Sequence, residues 1–428
     1  MISADGVVGA GLSIALLVAV IAFTMTARRL PPAVVAVPAA MLVVATGLAS
    51  WSSAADELEF MAPTIGFLAA MLVVADVCGR TGVFAWLGAL MSHWSRGSPN
   101  RLLRIVFAVA AAVTAILSLD ATIVLLTPLA VAAARRIGAR VSPVSMATAH
   151  LANSASTLMP VSNLTNLIAF SATGLTFLGF TATMAAPWIV AILVEYLIFR
   201  FFFARDLRAR AIPQAAVPDD RPDESRDDPP APRWTLTCLA LLLIGFLIAE
   251  PLDVPLVAVA AGGAALMALP VLFAERGAGA LQMVRAADIP FLAFVAALGV
   301  VILPVQQGPL GDAVAHLIPD GTGLIALLIV AVLAAALANV LNNLPATLLL
   351  VPLVAHQPEL VLAVLLGVNI GPNLAYFGSL ATLLWRDVMR RQTTSPPPSR
   401  RYLLLGALAV PPTLIAAVLA LWISLQVT

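Results

Sequence analysis

Asn153-Ser-Ala-Ser-Thr-Leu-Met-Pro-Val-Ser-Asn-Leu-Thr-Asn-Leu167 and Asn369-Ile-Gly-Pro-Asn-Leu-Ala-Tyr-Phe-Gly-Ser-Leu-Ala-Thr-Leu383 are two polar interruptions in a chain that is otherwise strongly apolar. Asn153, Asn163 and Asn166 have the same spacing as Asn369, Ser379 and Thr382, and each stretch resumes as a leucine-rich segment. Pro160 in the first, and Gly371 with Pro372 in the second, remove or weaken helical hydrogen bonds. Both stretches therefore predict broken helices whose free backbone groups face a cavity. Irregular backbone at membrane depth is tolerated only where protein buries it or water lines it. Such breaks at matching places in two halves mark the binding site of inverted-repeat carriers.

The surrounding chain makes the bilayer its solvent. Of 428 residues 61% are hydrophobic and 11% charged, with a mean hydropathy of +1.02, more apolar surface than one soluble core can hide. Apolar runs recur at about the twenty residues an α-helix needs to cross roughly 30 Å of hydrocarbon. The expected fold class is an all-α membrane protein: an inverted-repeat transporter with about ten transmembrane helices, two re-entrant hairpins and two broken helices. The first run, 7–26, has no preceding positive charge and is too long for a signal-peptide core, so it reads as a retained helix. Cys78 and Cys238 are remote from each other, and the four histidines are single, so no thiolate or histidine metal site and no cofactor is expected. No nucleophile elbow, phosphate loop or nucleic-acid motif is present, which argues against an enzyme and against a nucleic-acid partner.

All 23 basic residues are arginines, and one orientation places them on a single side. With the N-terminus outside, helices are expected at 7–26, 31–50 and 62–79, with an acidic external loop at Asp56, Glu57 and Glu59. An interfacial helix follows at 83–94, then a hairpin over 102–134 interrupted at Asp120, a broken crossing at 143–175 and a helix at 178–203. Residues 204–233, rich in Pro, Asp and Arg, read as a solvated cytoplasmic linker between a first repeat, 1–203, and a second, inverted repeat, 234–428. The second repeat supplies helices at 234–250, 254–273 and 288–305, a hairpin at 322–356, a broken crossing at 360–390 and a last helix at 402–426. The Arg28-Arg29 turn is then cytoplasmic, and Asp5 is external with Glu250, Asp253, Asp312, Asp320 and Glu359.

The hairpin turns, Leu119-Asp120-Ala121-Thr122 and Asn342-Asn343-Leu344-Pro345-Ala346-Thr347, carry carboxylate or carboxamide groups at apolar bends. Four polar tips are expected to converge on one pseudo-two-fold axis. The solute-binding candidates are Asn153, Ser156, Ser162, Asn163, Asn166, Asn342, Asn343, Thr347, Asn369, Gly371, Gly378, Ser379 and Thr382. Asp120 and Thr122 are the candidates for proton coupling. A carboxylate at a hairpin tip costs about 2.5 to 3.5 kcal/mol on insertion scales, which favours a proton-carrying role for Asp120. Asp76 is expected to pair with Arg80 one turn on, Glu195 to pair or snorkel toward the cytoplasmic side near Arg200 with a proton relay as the alternative, and His150 to pack in the core beside the break or to orient it.

At these four motifs the sequence resembles the arsenite and antimonite efflux permeases of the ion transporter superfamily. Pro160–Leu167 (PVSNLTNL) and Asn369–Trp385 (NIGPNLAYFGSLATLLW) carry the resemblance most specifically, with Leu119–Leu129 and Asn342–Leu349 in support. It implies an inner-membrane carrier that expels a small inorganic oxyanion or neutral hydroxide against protons, alone, as a homodimer, or with an ATPase subunit as in some relatives. A sodium-coupled carboxylate carrier or a sodium/proton carrier of the same superfamily is the alternative. Two positions depart from the family pattern: Leu119 stands where an asparagine is common, and Ala375-Tyr376-Phe377 replaces Thr-Pro-Ile before Gly378. Tyr376 is expected either to return a hydroxyl to the cavity or to narrow it.

Overall fold

The computed structural model describes residues 6–26, 30–208, 229–275, 277–393 and 397–427, and among them every regular element is helical. The first half begins with α1 (Val7–Thr26), α2 (Ala33–Thr46), α3 (Trp51–Arg80), α4 (Val83–Ser95) and α5 (Pro99–Ile116). The chain then bends at Leu117 and Ser118 and continues through the single turn α6 (Leu119–Ala121), a π-helical turn (Thr122–Leu126) and α7 (Thr127–Arg136). Next comes α8 (Val141–Ser154), which dissolves into two 3₁₀ turns, Ala155–Thr157 and Pro160–Ser162, before α9 (Leu164–Thr173), α10 (Phe177–Phe202) and α11 (Ala204–Arg208).

In the second half α12 (Arg233–Ala249), α13 (Leu256–Glu275), α14 (Gly277–Ala286), α15 (Ile289–Gln306) and α16 (Pro309–Ala315) lead into α17 (Leu324–Leu341). The chain reverses at Asn342 into α18 (Asn343–Val354), followed by α19 (Pro358–Ile370), a 3₁₀ turn (Gly371–Leu374), α20 (Leu380–Gln392) and α21 (Ser399–Val427). Helix α3 lies on α13 as α2 lies on α15; α5 lies on α8 as α17 lies on α19; α9 meets α18 as α20 meets α7; and α10 packs along α21.

Eight helices among the described residues are long and apolar enough to cross a membrane. Leucines and isoleucines such as Leu193, Leu197, Leu241 and Ile244 face outward, where a soluble protein would carry charge. The chain is a multi-pass membrane protein.

Three expectations need correction. The acids Asp56, Glu57 and Glu59 are not in a loop but in the first turns of α3, which starts at its Ser50 cap. Thirty residues make a helix of about 45 Å, longer than the hydrocarbon core, so its first turns tolerate charge. The stretch expected as a linker from 204 begins instead with α11, ordered by Asp206, which is buried between Arg140, at 2.5 Å, and Arg401. Residues 209–228 of that stretch lie outside the described residues, as do Asp5, Arg28 and Arg29. Helices α14 and α16 fill segments read as connections.

Candidate functional site

The two broken helices interlock through their side chains. Asn369, at the end of α19, accepts hydrogen bonds at Oδ1 from Asn163 Nδ2 (2.9 Å) and the Thr165 hydroxyl (3.0 Å), and its own Nδ2 donates to Asn166 Oδ1 (3.0 Å). Asn153, at the end of α8, answers from the other half: its Nδ2 donates to Asn373 Oδ1 (2.9 Å) and, more weakly, to the Thr382 hydroxyl (3.5 Å). Each half thus sends an asparagine from its helix end into the break of the other.

The restart of each helix is capped from within. Asn163 accepts from Thr165 N and caps α9, while Ser379 accepts from Thr382 N and caps α20. Asn166 closes the first break on itself by donating to the carbonyls of Ser156 (2.5 Å) and Met159 (2.8 Å). Ser156 in turn donates to Asn153 O, and Ser162 donates to Ala115 O at the end of α5, tying break to hairpin. Gly371 is required by closeness. A Cβ there would sit 2.5 Å from Ala335 Cβ on α17, so only glycine lets the second break reach that helix. A Cβ on Gly378 would meet Pro372 Cα at 2.5 Å.

A cavity of about 400 Å³ opens beside this interlock. Its polar lining comes from four places: Ser118 and Asp120 at the first bend, Ser162, Asn163 and Thr165 at the first break, Asn343 at the second bend, and Asp288 at the start of α15. Leu119, Leu344, Leu380, Phe67 and Phe291 supply apolar walls, and no arginine lines it among the described residues. Asn343 is held there by its backbone N–H on Gly378 O (3.1 Å) and by Thr347, whose hydroxyl bonds Asn343 O. Asn342 turns the chain with φ +81° and donates to Phe377 O.

The sequence-derived candidates divide accordingly. Asp120, Ser162, Asn163 and Asn343 line the cavity; Asn153, Asn166, Asn369, Ser379 and Thr382 form the layer that fixes the two breaks; Ser156, Asn342, Thr347, Gly371 and Gly378 shape the backbone. Thr122 faces away from the cavity, bonded to Thr114 (2.7 Å). Tyr376 neither enters nor narrows the cavity: its ring stacks on Tyr402 at 4.6 Å. Glu195 does not reach the surface near Arg200. It is fully buried and bonded to His150, Ser154 and Asn373, because residues five apart on a helix point about 140° apart. Asp76 does pair with Arg80, at 2.5 Å.

Sequence reasoning did not single out Asp288, Thr165 or Asn373. Asp288 adopts φ +48°, caps α15 by accepting from Phe291 N, and lies on the cavity wall. Thr165 lies between two asparagines already named, and Asn373 follows the proline of the second break.

A family model for citrate transporters, CitMHS, matches residues 18–377. The chain belongs to the CitMHS family. Among relatives of this CitMHS member, the arsenical pump membrane protein of Escherichia coli K12 is 27% identical over 344 residues, 77% of this chain and 79% of the relative. The arsenical pump membrane protein of Yersinia enterocolitica is 27% identical over 346 residues, 76% and 77% of the two chains. An uncharacterised transporter of Mycobacterium tuberculosis is 25% identical, with 76% and 78% covered. In structure, this CitMHS chain resembles the Alcanivorax borkumensis YdaH transporter, with a TM-score of 0.59 over 88% of each chain at 18% identity, which supports the fold alone. The protein is a membrane transporter and not an enzyme.

Proposed function

We propose that this transporter is a secondary carrier that expels trivalent arsenite or antimonite across the cell's inner membrane in exchange for protons. The observation that carries this reading is the cavity lining: hydroxyl and carboxamide groups with two carboxyls and, among the described residues, no arginine. Arsenite at neutral pH is the uncharged trihydroxide, which needs hydrogen-bond donors and acceptors and no counter-charge. Citrate, with three carboxylates, would meet Asp120 and Asp288 as like charges, a juxtaposition that costs several kcal/mol. The similarity to two arsenical pump membrane proteins points the same way.

In this reading the two halves are inverted repeats, 1–203 and 234–428. The exchange-related packing of α3 on α13 and α2 on α15 supports it. The bends at Leu117–Ser118 and Asn342 are tips of re-entrant hairpins, and both breaks sit at the axis. Alternating access then works by rocking the hairpin and broken-helix layer past the remaining helices. Asp288 is exposed where the cavity reaches the surface, beside Arg285; with the arginines cytoplasmic and the N-terminus outside, the conformation is inward-facing. Asp120 meets the solute and the proton in the same cavity, and carries the proton inward as the solute leaves.

The test is uptake into everted vesicles from an efflux-deficient host. Arsenite or antimonite is expected to accumulate when a proton gradient is imposed. Accumulation of citrate, or sodium-dependent movement, with arsenite left at background would refute the assignment.

A further inference from the structure

A second titratable pair lies behind the cavity, sealed from it. His150 on α8 and Glu195 on α10 are both fully buried, with Nδ1 and Oε1 3.2 Å apart. Ser154 donates to Glu195 Oε2 (2.6 Å), and Asn373 Nδ2 donates both to Glu195 Oε1 (3.3 Å) and to the His150 carbonyl (3.0 Å). The same Asn373 accepts from Asn153. The pair is therefore one side chain away from the interlock of the two breaks. His150 Nε2 has no hydrogen-bond partner among the described residues.

The groups packed around the pair are few. From α21, Tyr402 lies ring to ring with His150 at 5.3 Å; from α10, Phe199 lies at 5.1 Å; the second break contributes Asn373 and α8 contributes Ser154. Arg401, the charged group of α21 nearest in sequence to Tyr402, stacks on Phe203 and bonds Asp206. No described hydrogen bond gives Glu195 an arginine. With one proton between them, His150 and Glu195 are net neutral; with none, a single negative charge is buried without a counter-ion, and with two, a single positive one. An uncompensated charge buried at such a place is strongly destabilising.

Fold stability does not require such a pair. The spacing that relates Asn153 to Asn369 relates His150 to Leu366 and Ser154 to Ile370, both fully buried in the second half. Apolar side chains thus stand at the counterparts of His150 and Ser154, and buried ion pairs are often no better than apolar side chains for stability.

We infer that His150 and Glu195 form a second proton-binding site of the carrier, separate from Asp120, which holds one proton while Asn373 bridges it to Asn153 and releases it when the second break moves. The proton is shared along the Nδ1–Oε1 hydrogen bond; no covalent step is involved. The inference rests on the proton-coupled reading above and adds a second proton to each cycle.

The test is arsenite accumulation in proteoliposomes at a fixed imposed gradient of one pH unit, with the membrane potential clamped at zero because exchange of a neutral solute for protons moves charge. Each coupled proton multiplies the ratio by about ten, one tenfold step being about 1.4 kcal/mol. Wild type is then expected near hundredfold, Glu195→Gln and Asp120→Asn each near tenfold, and the double variant near unity. A Glu195→Gln ratio equal to wild type, or loss of arsenite exchange at equal pH from a folded Glu195→Gln protein, would overturn the inference. If Glu195→Gln does not fold, His150→Gln replaces it with the same expected ratio. Failure of wild type to exchange arsenite would instead sink the functional reading. The site is then judged by infrared difference spectra of wild type between acid and alkaline buffer: a carboxylic-acid band that is missing in Glu195→Gln or His150→Gln keeps it, and identical spectra remove it.

Discussion

Asn369→Ala is expected to reduce arsenite uptake into everted vesicles to less than a tenth of wild type, with protein still present in the membrane. Asn369 is the member of the interlock with the most cross-half bonds, two accepted and one donated, all between 2.9 and 3.0 Å. Truncation leaves the Asn163 amide, the Thr165 hydroxyl and the Asn166 carbonyl without those partners in a buried layer. Each stranded group costs about 1 to 3 kcal/mol, with partial relief where neighbours turn to one another, so a total near 3 kcal/mol is a fair expectation. The cost falls on geometry before it falls on folding, because Asn163 and Thr165 line the cavity that Asn369 holds in place. Initial rates, normalised to protein by fluorescence-detected size exclusion, measure it. Rates within about twofold of wild type would mean that the contact is packing and not part of the site, since twofold is under about 0.5 kcal/mol.

Asp120→Asn is expected to have the second large effect, and a different one. The carboxamide has nearly the shape of the carboxyl, so arsenite exchange at equal pH should stay within about threefold of wild type, under about 1 kcal/mol. Accumulation driven by a pH gradient should fall about tenfold per unit of gradient, because one proton-carrying group is gone. Asp120 stands in the first turn after the Ser118 cap, and it shares the cavity with Asp288. An Asp120→Asn carrier with wild-type gradient dependence would remove Asp120 from the coupling.

The helices were legible because the bilayer imposes length and apolarity on every span. Val7–Thr26 agrees to the residue, and both breaks fall where Pro160 and Gly371-Pro372 interrupt apolar runs. The mirrored spacing of Asn153 with Asn369, and of Asn166 with Thr382, was visible as arithmetic. Their cross-half hydrogen bonds follow the same mirror, Asn153 reaching Thr382 and Asn369 reaching Asn166. What stayed hidden were contacts set by tertiary packing. Glu195 was read against Arg200, its neighbour in sequence, whereas its partners are His150 and Ser154, more than forty residues earlier, and Asn373, far later. Asp288 caps α15, and nothing local says that this helix starts at the wall of a cavity built mainly from the other elements. The acids of α3 looked like a loop because charge in a membrane protein usually marks one, and only the 30-residue length of the helix explains them.

The division between lining and supporting residues also changes what substitutions mean. Ser162, Asn163, Thr165 and Asn343 touch the space a solute would fill, so their changes should alter selectivity and apparent affinity. Asn153, Asn166 and Thr382 act through the backbone of the breaks, so theirs should alter rate and state.

The most direct measurement is a crystal structure of the protein soaked with antimonite, with data recorded for the anomalous signal of antimony. A single strong peak between Asp120, Asn163, Thr165 and Asn343 is the expected result. Antimony bound elsewhere, at the buried Cys78 thiol for instance, with no peak in that cavity, would contradict the account.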